Sequence, residues 1–225
     1  MRQHRLAAFA CLAAIAAPAS ASEDSQLWTT ASVGVKLSDK WRLSQELVTR
    51  FSADRNGLCE VESNTLLGYK LGRLTTVWAG YTHNPQYDGG DFTVLEHRFR
   101  EQITVDNFAK VGPGKLSARL RFEQRWRDGV DGTGWRSRPY LRYQIPLGKG
   151  SKTSLNLSNE TFINLNAVPF QSRTGVDRMR NAVAITTPLS KSLNLEAGYL
   201  NQHRFVRGGE DSSDHAATIS LSLSL

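Results

Sequence analysis

Cysteine is almost missing from this chain: 225 residues hold two, Cys11 and Cys59. Once the N-terminal leader described below is removed, only Cys59 remains, so no intrachain disulfide can form. Cys/His clusters with metal-ligand spacing are absent as well, and neither a metal nor another cofactor is expected. No G-x-S-x-G nucleophile motif occurs. Beyond the leader no segment approaches 18 consecutive apolar residues, which excludes a membrane-spanning helix. It does not exclude a membrane β-barrel, whose strands contribute an apolar residue only at every second position.

What is present begins with that leader. Arg2 and Arg5 supply a positive start, LAAFACLAAIAA an apolar run, and Ala19-Ser20-Ala21 small residues for cleavage. This is the three-part pattern of a secretory signal peptide. Its apolar run falls short of the roughly 20 residues a spanning helix needs. Cleavage after Ala21 is expected, leaving a signal peptide at 1–21 and one domain at 22–225. Losing Arg2 and Arg5, and no acid, takes the formal net charge from +7 to +5. A basic balance by itself fits nucleic acid, anionic lipid or a polyanionic substrate.

The segment KLSARLRFEQRWR (115–127) narrows the choice. Lys115, Ser117, Arg119, Arg121, Glu123, Arg125 and Arg127 alternate with Leu116, Ala118, Leu120, Phe122, Gln124 and Trp126. Steps of two residues scatter these apolar positions around a helix but gather them on one face of a strand. The same alternation recurs at 41–51, 60–71, 95–105, 135–147, 192–205 and in the closing ATISLSLSL. Weaker strands fit at 27–37, 73–83, 152–163 and 175–187, eleven in all. Glu101, Asn181 and His203 fall on apolar faces, where bulges or register errors are expected.

Connections alternate between short (near 38–40, 72, 110–114, 148–151 and 188–191) and longer, polar and glycine-rich (near 52–59, 84–91, 128–134, 164–172 and 207–213). Trp41, Phe51, Tyr69, Tyr81, Trp126, Trp135 and Phe205 sit toward strand ends on the apolar face, as interfacial girdles do. A soluble β-sandwich or lipocalin-like barrel produces the same alternation. Strands of 11–14 residues exceed the usual five or six of soluble sheets, and with the charged faces and loop asymmetry they favour the membrane form. The fold expected is all-β: an antiparallel transmembrane β-barrel of about 10–12 strands with a charged, Arg-rich lumen. A simple barrel with both termini on one side needs an even number, so the tally of eleven leaves one strand to be reconciled.

With the apolar positions outward, Arg98, Arg100, Arg119, Arg121, Arg125, Arg136, Arg138 and Arg142 line the lumen as its basic wall. Glu46, Glu62, Glu96, Glu123, Glu160 and Glu196 are its acidic members, with Glu46, Glu96, Glu123 and Glu160 expected to pair with the arginines. Unpaired charge away from bulk water is costly, and bidentate Arg–Glu pairing relieves it. One reading is a salt-bridged lumen that stabilises the barrel. Another is a narrow or plugged pore whose surplus arginine forms a track for small anionic solutes.

The motifs QLW (26–28), ELVTR (46–50), AGY (79–81), EHRFREQ (96–102), RFEQRW (121–126), RPYLRYQIPL (138–147), NETFINLN (159–166) and EAGYLNQ (196–202) resemble the bacterial outer-membrane proteins grouped as domain of unknown function 2490. The resemblance spans nearly the whole mature chain. It implies an outer-membrane β-barrel and no particular activity. Its polar motif positions here are Glu46, Arg50, Glu96, Arg98, Gln102, Arg121, Glu123, Arg125, Arg138, Arg142 and Glu160, most of them on the inward face.

An outer-membrane hydrolase is the rival from another class. It would draw on GGEDSSDH (208–215), with Asp–His activation of water and His83 from a second loop. A solvated acidic loop accounts for the same residues, and no enzyme is expected. Glu210, Asp211 and Asp214 lack the ordered spacing of a calcium loop. Basic residues interleaved with apolar ones argue against nucleic acid. The partners expected are outer-membrane lipid and lipopolysaccharide, small anionic solutes, and the barrel-assembly machinery, for which Leu225 is a non-aromatic final residue. The location expected is the bacterial outer membrane.

Overall fold

The computed structural model describes residues 22–225, so the predicted signal peptide at 1–21 lies outside the described residues. Eleven strands follow one another: β1 (Ser22–Lys36), β2 (Trp41–Ser52), β3 (Gly57–Lys70), β4 (Thr75–Asp88), β5 (Asp91–Val111), β6 (Gly114–Arg127), β7 (Val130–Pro146), β8 (Ser154–Asn164), β9 (Gly175–Pro188), β10 (Leu193–Arg204) and β11 (Ser212–Ser224). They close into a single barrel in chain order. Consecutive strands are antiparallel, and β1 meets β11 in parallel from Ser22↔Ser212 to Gly34↔Ser224.

The parallel seam resolves the odd tally. With an odd number of up-and-down strands the last runs the same way as the first, so closure has to be parallel. The expectation of an even number is corrected, and it follows that Ser22 and Leu225 lie at opposite ends of the barrel. The end holding Leu225 is called the turn end below, and the other the loop end.

The expected contrast between short turns and long loops is largely lost. Loop-end connections run over 53–56, 89–90, 128–129, 165–174 and 205–211, and turn-end ones over 37–40, 71–74, 112–113, 147–153 and 189–192. Most of the stretches predicted as loops at 84–91 and 128–134 are strand. At Gly89 and Gly90 φ is 57° and 91°. Two-residue hairpin turns of this kind need positive φ at both positions, which glycine adopts without steric cost. The glycines therefore mark a tight turn where composition alone reads as an extended loop.

Among the described residues, six apolar side chains are buried against twenty-four polar or charged ones. Nearly all of the buried polar set faces the barrel interior; Ser137, paired with Phe122 and Ile163, has the outward parity. Leu47, Leu67, Phe122, Leu141, Ile185 and Ile219 on the other face remain 42–48% exposed. A soluble sandwich or lipocalin-like barrel buries its apolar face, whereas here that face is the outer one.

Glu101 and Asn181 keep the outward orientation set by alternation, without the bulges expected there: β5 pairs regularly through Glu101 and β9 through Asn181. Asn159 Nδ2 donates to Asn181 Oδ1 at 2.8 Å on the outer surface. His203 is likewise in regular register, bonded to Asp211. The true register shifts fall elsewhere, at Arg50/Phe51, Gln86/Tyr87, Val105/Ala109, Arg125/Arg127 and Phe162/Ile163.

Candidate functional site

Because side chains alternate across a strand, inward residues on neighbouring strands meet wherever register aligns them. Register sets Arg98 beside Arg125 and Arg100 beside Glu123 on β5 and β6. It sets Glu123 beside Arg136 and Arg121 beside Arg138 on β6 and β7, and Glu160 beside Arg180 on β8 and β9. Half the barrel wall thus becomes one charged network.

Two carboxylates anchor six guanidinium groups. Glu96 accepts from Arg125 Nε at 3.0 Å, Arg125 Nη2 at 2.9 Å and Arg127 Nε at 2.7 Å, and pairs also with Arg98. Glu123 accepts from Arg136 Nε at 2.8 Å and Arg138 Nη1 at 2.7 Å, with Arg100 Nε at 3.2 Å. Glu62 links Arg98 to Arg100, and Glu160 takes a two-point contact from Arg138 at 3.1 and 2.9 Å while also meeting Arg119. Arg100, Glu96 and Glu123 are fully buried. Charges this deep are tolerable only when paired and hydrogen-bonded, and the fork-shaped Arg–carboxylate contacts supply most of those bonds. Arg100 Nε alone of this trio's polar groups meets its carboxylate as an ion pair without a hydrogen bond.

Arg121 is buried and donates Nε to Gln102 Oε1 at 2.8 Å. Arg119 and Arg142 lie lower and are less buried; Arg119 packs 4.7 Å from the Tyr140 ring centroid, and Arg142 pairs with Glu196. Glu46 departs from expectation: among the described residues it makes no ion pair and accepts only from Asn64 Nδ2 at 2.9 Å. The charge expected of it is supplied by Glu62, which register on β3 brings beside Arg98 and Arg100.

Aromatic side chains that the alternation reading passed over cross the lumen at mid-height. Trp28 has the Arg50 guanidinium carbon 4.3 Å and that of Arg180 4.6 Å from its ring centroid. Phe162, 1% exposed, is ringed by Arg138 at 4.2 Å, Arg180 at 4.5 Å, Arg136 at 5.1 Å and Arg178 at 5.4 Å. Guanidinium over an aromatic face is attractive, and more so away from water. Phe162 was legible in principle, since it shares parity with Glu160 in NETFIN, but its strand carries weak alternation. Trp28 lies in the equally weak first strand. The 165–174 loop folds inward too: Gln171 is buried and accepts from Arg125 Nη1 at 2.9 Å.

This guanidinium–aromatic layer divides the lumen. Above it, a cavity of about 370 Å³ reaches the loop-end rim at Asp54, Arg55 and Ser212, lined by ten arginines and five carboxylates. Below it, a smaller chamber of about 200 Å³ is lined by Thr30, Ser158, Ala182, Ala184, Thr218 and Ser220 with Arg142 and Glu196. Trp28 borders both. On the upper side, Arg178 donates Nε to Asp177 at 2.9 Å, and Arg180 donates Nε to Gln202 at 2.8 Å. Among the described residues neither Nη of Arg178 and no Nη of Arg180 makes a hydrogen bond; Arg180 Nη1 stands 3.8 Å from Glu160. These forks remain available to an anion.

The residues of the hydrolase reading are not brought together. Asp214 turns inward to Arg204 and Gln202, while the adjacent His215 points outward to Tyr199. Asp211 bonds His203 Nε2 at 3.1 Å and accepts the Val206 amide at 2.8 Å. His83 sits beside His97 on β4, with β1, β2 and β3 between it and β11. No group of three or more His, Cys, Asp or Glu side chains able to hold a metal ion occurs among the described residues.

The model of the family described as "Protein of unknown function (DUF2490)" matches residues 25–213, from β1 into β11. The chain belongs to this family. It is also 29% identical over 222 residues to an uncharacterised protein of Methylorubrum extorquens, covering 96% of this chain and 95% of that relative. The DUF2490 match therefore includes the Trp28–Phe162 layer and most of both chamber linings, leaving out Asp24, Asp214, Thr218 and Ser220.

Proposed function

We propose that this DUF2490 protein is an integral outer-membrane β-barrel, exported on its leader, whose lumen is a narrow pore constricted at mid-height and opening at the loop end as a vestibule for small anionic solutes. An apolar outer belt around a charged interior supports membrane insertion, because the arrangement is stable only where lipid replaces water outside. The solute reading rests on one observation above all: the vestibule wall carries twice as many arginines as carboxylates, with the Nη groups of Arg178 and Arg180 in no hydrogen bond among the described residues. Such forks match the paired oxygens of carboxylates and phosphates. A volume near 370 Å³ suits a small molecule.

The test is ion conductance of the refolded mature barrel in a planar bilayer under a salt gradient. Small anion-preferring steps are expected, with the preference weakened in the Arg178→Gln/Arg180→Gln double variant. A folded barrel that conducts nothing, or that prefers cations, would sink the solute reading and leave a structural barrel.

A further inference from the structure

Every lysine in the sequence lies at one end of the barrel. Lys36 and Lys40 flank the β1–β2 turn, Lys110 and Lys115 the β5–β6 turn, and Lys149 and Lys152 sit in the β7–β8 connection. The two others come from the end of β3 and the β9–β10 turn, and Arg73 joins them from the β3–β4 turn. Among the described residues the acids at this rim are Asp39 and Asp106. The loop-end connections hold no lysine, and acids such as Asp54, Asp88, Asp128, Glu210 and Asp211 gather there. Scattered along the sequence, the lysines are collected into a ring only because alternate connections return to the same end.

The ring borders the apolar belt directly. Lys40 Nζ lies 5.7 Å from the Tyr69 ring centroid, and Tyr69 packs edge-on against Trp41 at 4.9 Å. At the same rim, further round on β7, Tyr143 donates its hydroxyl to Val111 O at 2.6 Å. Aromatic side chains with a polar tip at the margin of an apolar band, and lysine just beyond, are the arrangement that settles at a bilayer's headgroup level. Lysine ammonium groups there face phosphate oxygens, and each adds to the attraction of an anionic surface.

We infer that the turn-end rim is a docking ring for anionic phospholipid headgroups of the leaflet it faces. The inference rests on the membrane reading above. Charge complementarity and continuity with the apolar belt identify the occupant: a lipid can meet the belt with its acyl chains and the lysines with its phosphate at once. The lysines sit on strand ends and connections spread around the circumference, so the ring fits a shell of separate lipids.

The test uses the mature barrel refolded in neutral detergent and offered equal amounts of phosphatidylglycerol and phosphatidylcholine, with retained lipid read by native mass spectrometry. Phosphatidylglycerol is expected to be retained roughly five-fold or more over phosphatidylcholine, with the preference falling as salt rises. In the exposed-turn variant Lys36→Gln/Lys110→Gln/Lys149→Gln/Lys191→Gln the ratio should fall toward parity. Parity in the unaltered protein overturns the inference, as does an undiminished preference in the variant. In a second run with lipopolysaccharide added in equal amount, its retention ahead of phosphatidylglycerol overturns the phospholipid assignment. A chain that stays folded and monodisperse without detergent would defeat the membrane reading itself, a result distinct from parity in a folded, detergent-bound barrel.

Discussion

The upper and lower halves of the lumen are built from the same strands, yet they are filled in opposite ways. Above Trp28 the inward positions are long and charged, and the space is crossed by shared carboxylates such as Glu96 and Glu123. Below it they are Thr30, Ser158, Ala182, Ala184, Thr218 and Ser220, with Arg142 and Glu196 making the ion pair. The upper half holds its shape through a network in which carboxylates such as Glu96 and Glu123 each serve three or more guanidinium groups. The lower half holds its shape through backbone pairing and one small polar cluster in which Arg142, Asn156 and Thr186 meet Glu196. Filling an interior with charge makes it rigid and intolerant; leaving it small makes it hollow and forgiving.

Removing a charge from each half gives the widest expected separation. Glu123→Gln strands Arg136 in a buried setting and takes one of two carboxylate partners from Arg100 and from Arg138, at a cost of about 3–5 kcal/mol. Glu196→Gln leaves only the half-buried Arg142 unpaired, at less than about 1 kcal/mol. Heat-modifiability of the refolded barrels measures both; similar losses for the two variants would erase the contrast drawn here. Trp28→Ala comes next. It removes the partition between the two chambers, so conductance should rise several-fold while the barrel stays folded. Unchanged conductance would place the barrier elsewhere.

The smallest effect is at the loop-end rim, outside the network. The Val206 amide, and after it the His203 imidazole, hold the exposed Asp211 carboxylate below the usual aspartate range. A lowered folded-state pKa stabilises the charged loop above the ordinary value of about 4, and that contribution fades as pH falls through the lowered one. The protection factor of the Val206 amide should therefore drop under acid conditions in the native protein. In Asp211→Asn it should be low at neutral pH and nearly independent of pH. The lumen network should hold at the pH where this loop loosens.

Strand number and facing were readable from alternation, because a period of two is a local property: each residue's face follows from its neighbours. Arg98, Arg100, Arg121, Arg125, Arg136 and Arg138 came out inward on that basis, as did Glu96, Glu123 and Glu160. What could not be read was who meets whom. Glu46 and Glu62 have the same parity on neighbouring strands, and only inter-strand register gives Glu62 to the arginines and leaves Glu46 to Asn64. Trp28 and Phe162 are separated by 134 residues of sequence, and they share Arg180 because the barrel curls β1 and β8 around one lumen. Loop lengths were misjudged because glycine-rich stretches serve tight turns as well as long loops.

By itself, then, the sequence determined that the chain forms about 10–12 long strands with one greasy and one charged face, since both follow from residue order over a few positions. Only the tertiary structure decided that the strands close through a parallel seam and that three or more arginines share a single glutamate. It alone also set a guanidinium–aromatic layer across the lumen and gathered every lysine at one rim. Those features depend on hydrogen-bonded register between segments far apart in the chain, and a pattern local to each strand carries no information about that register.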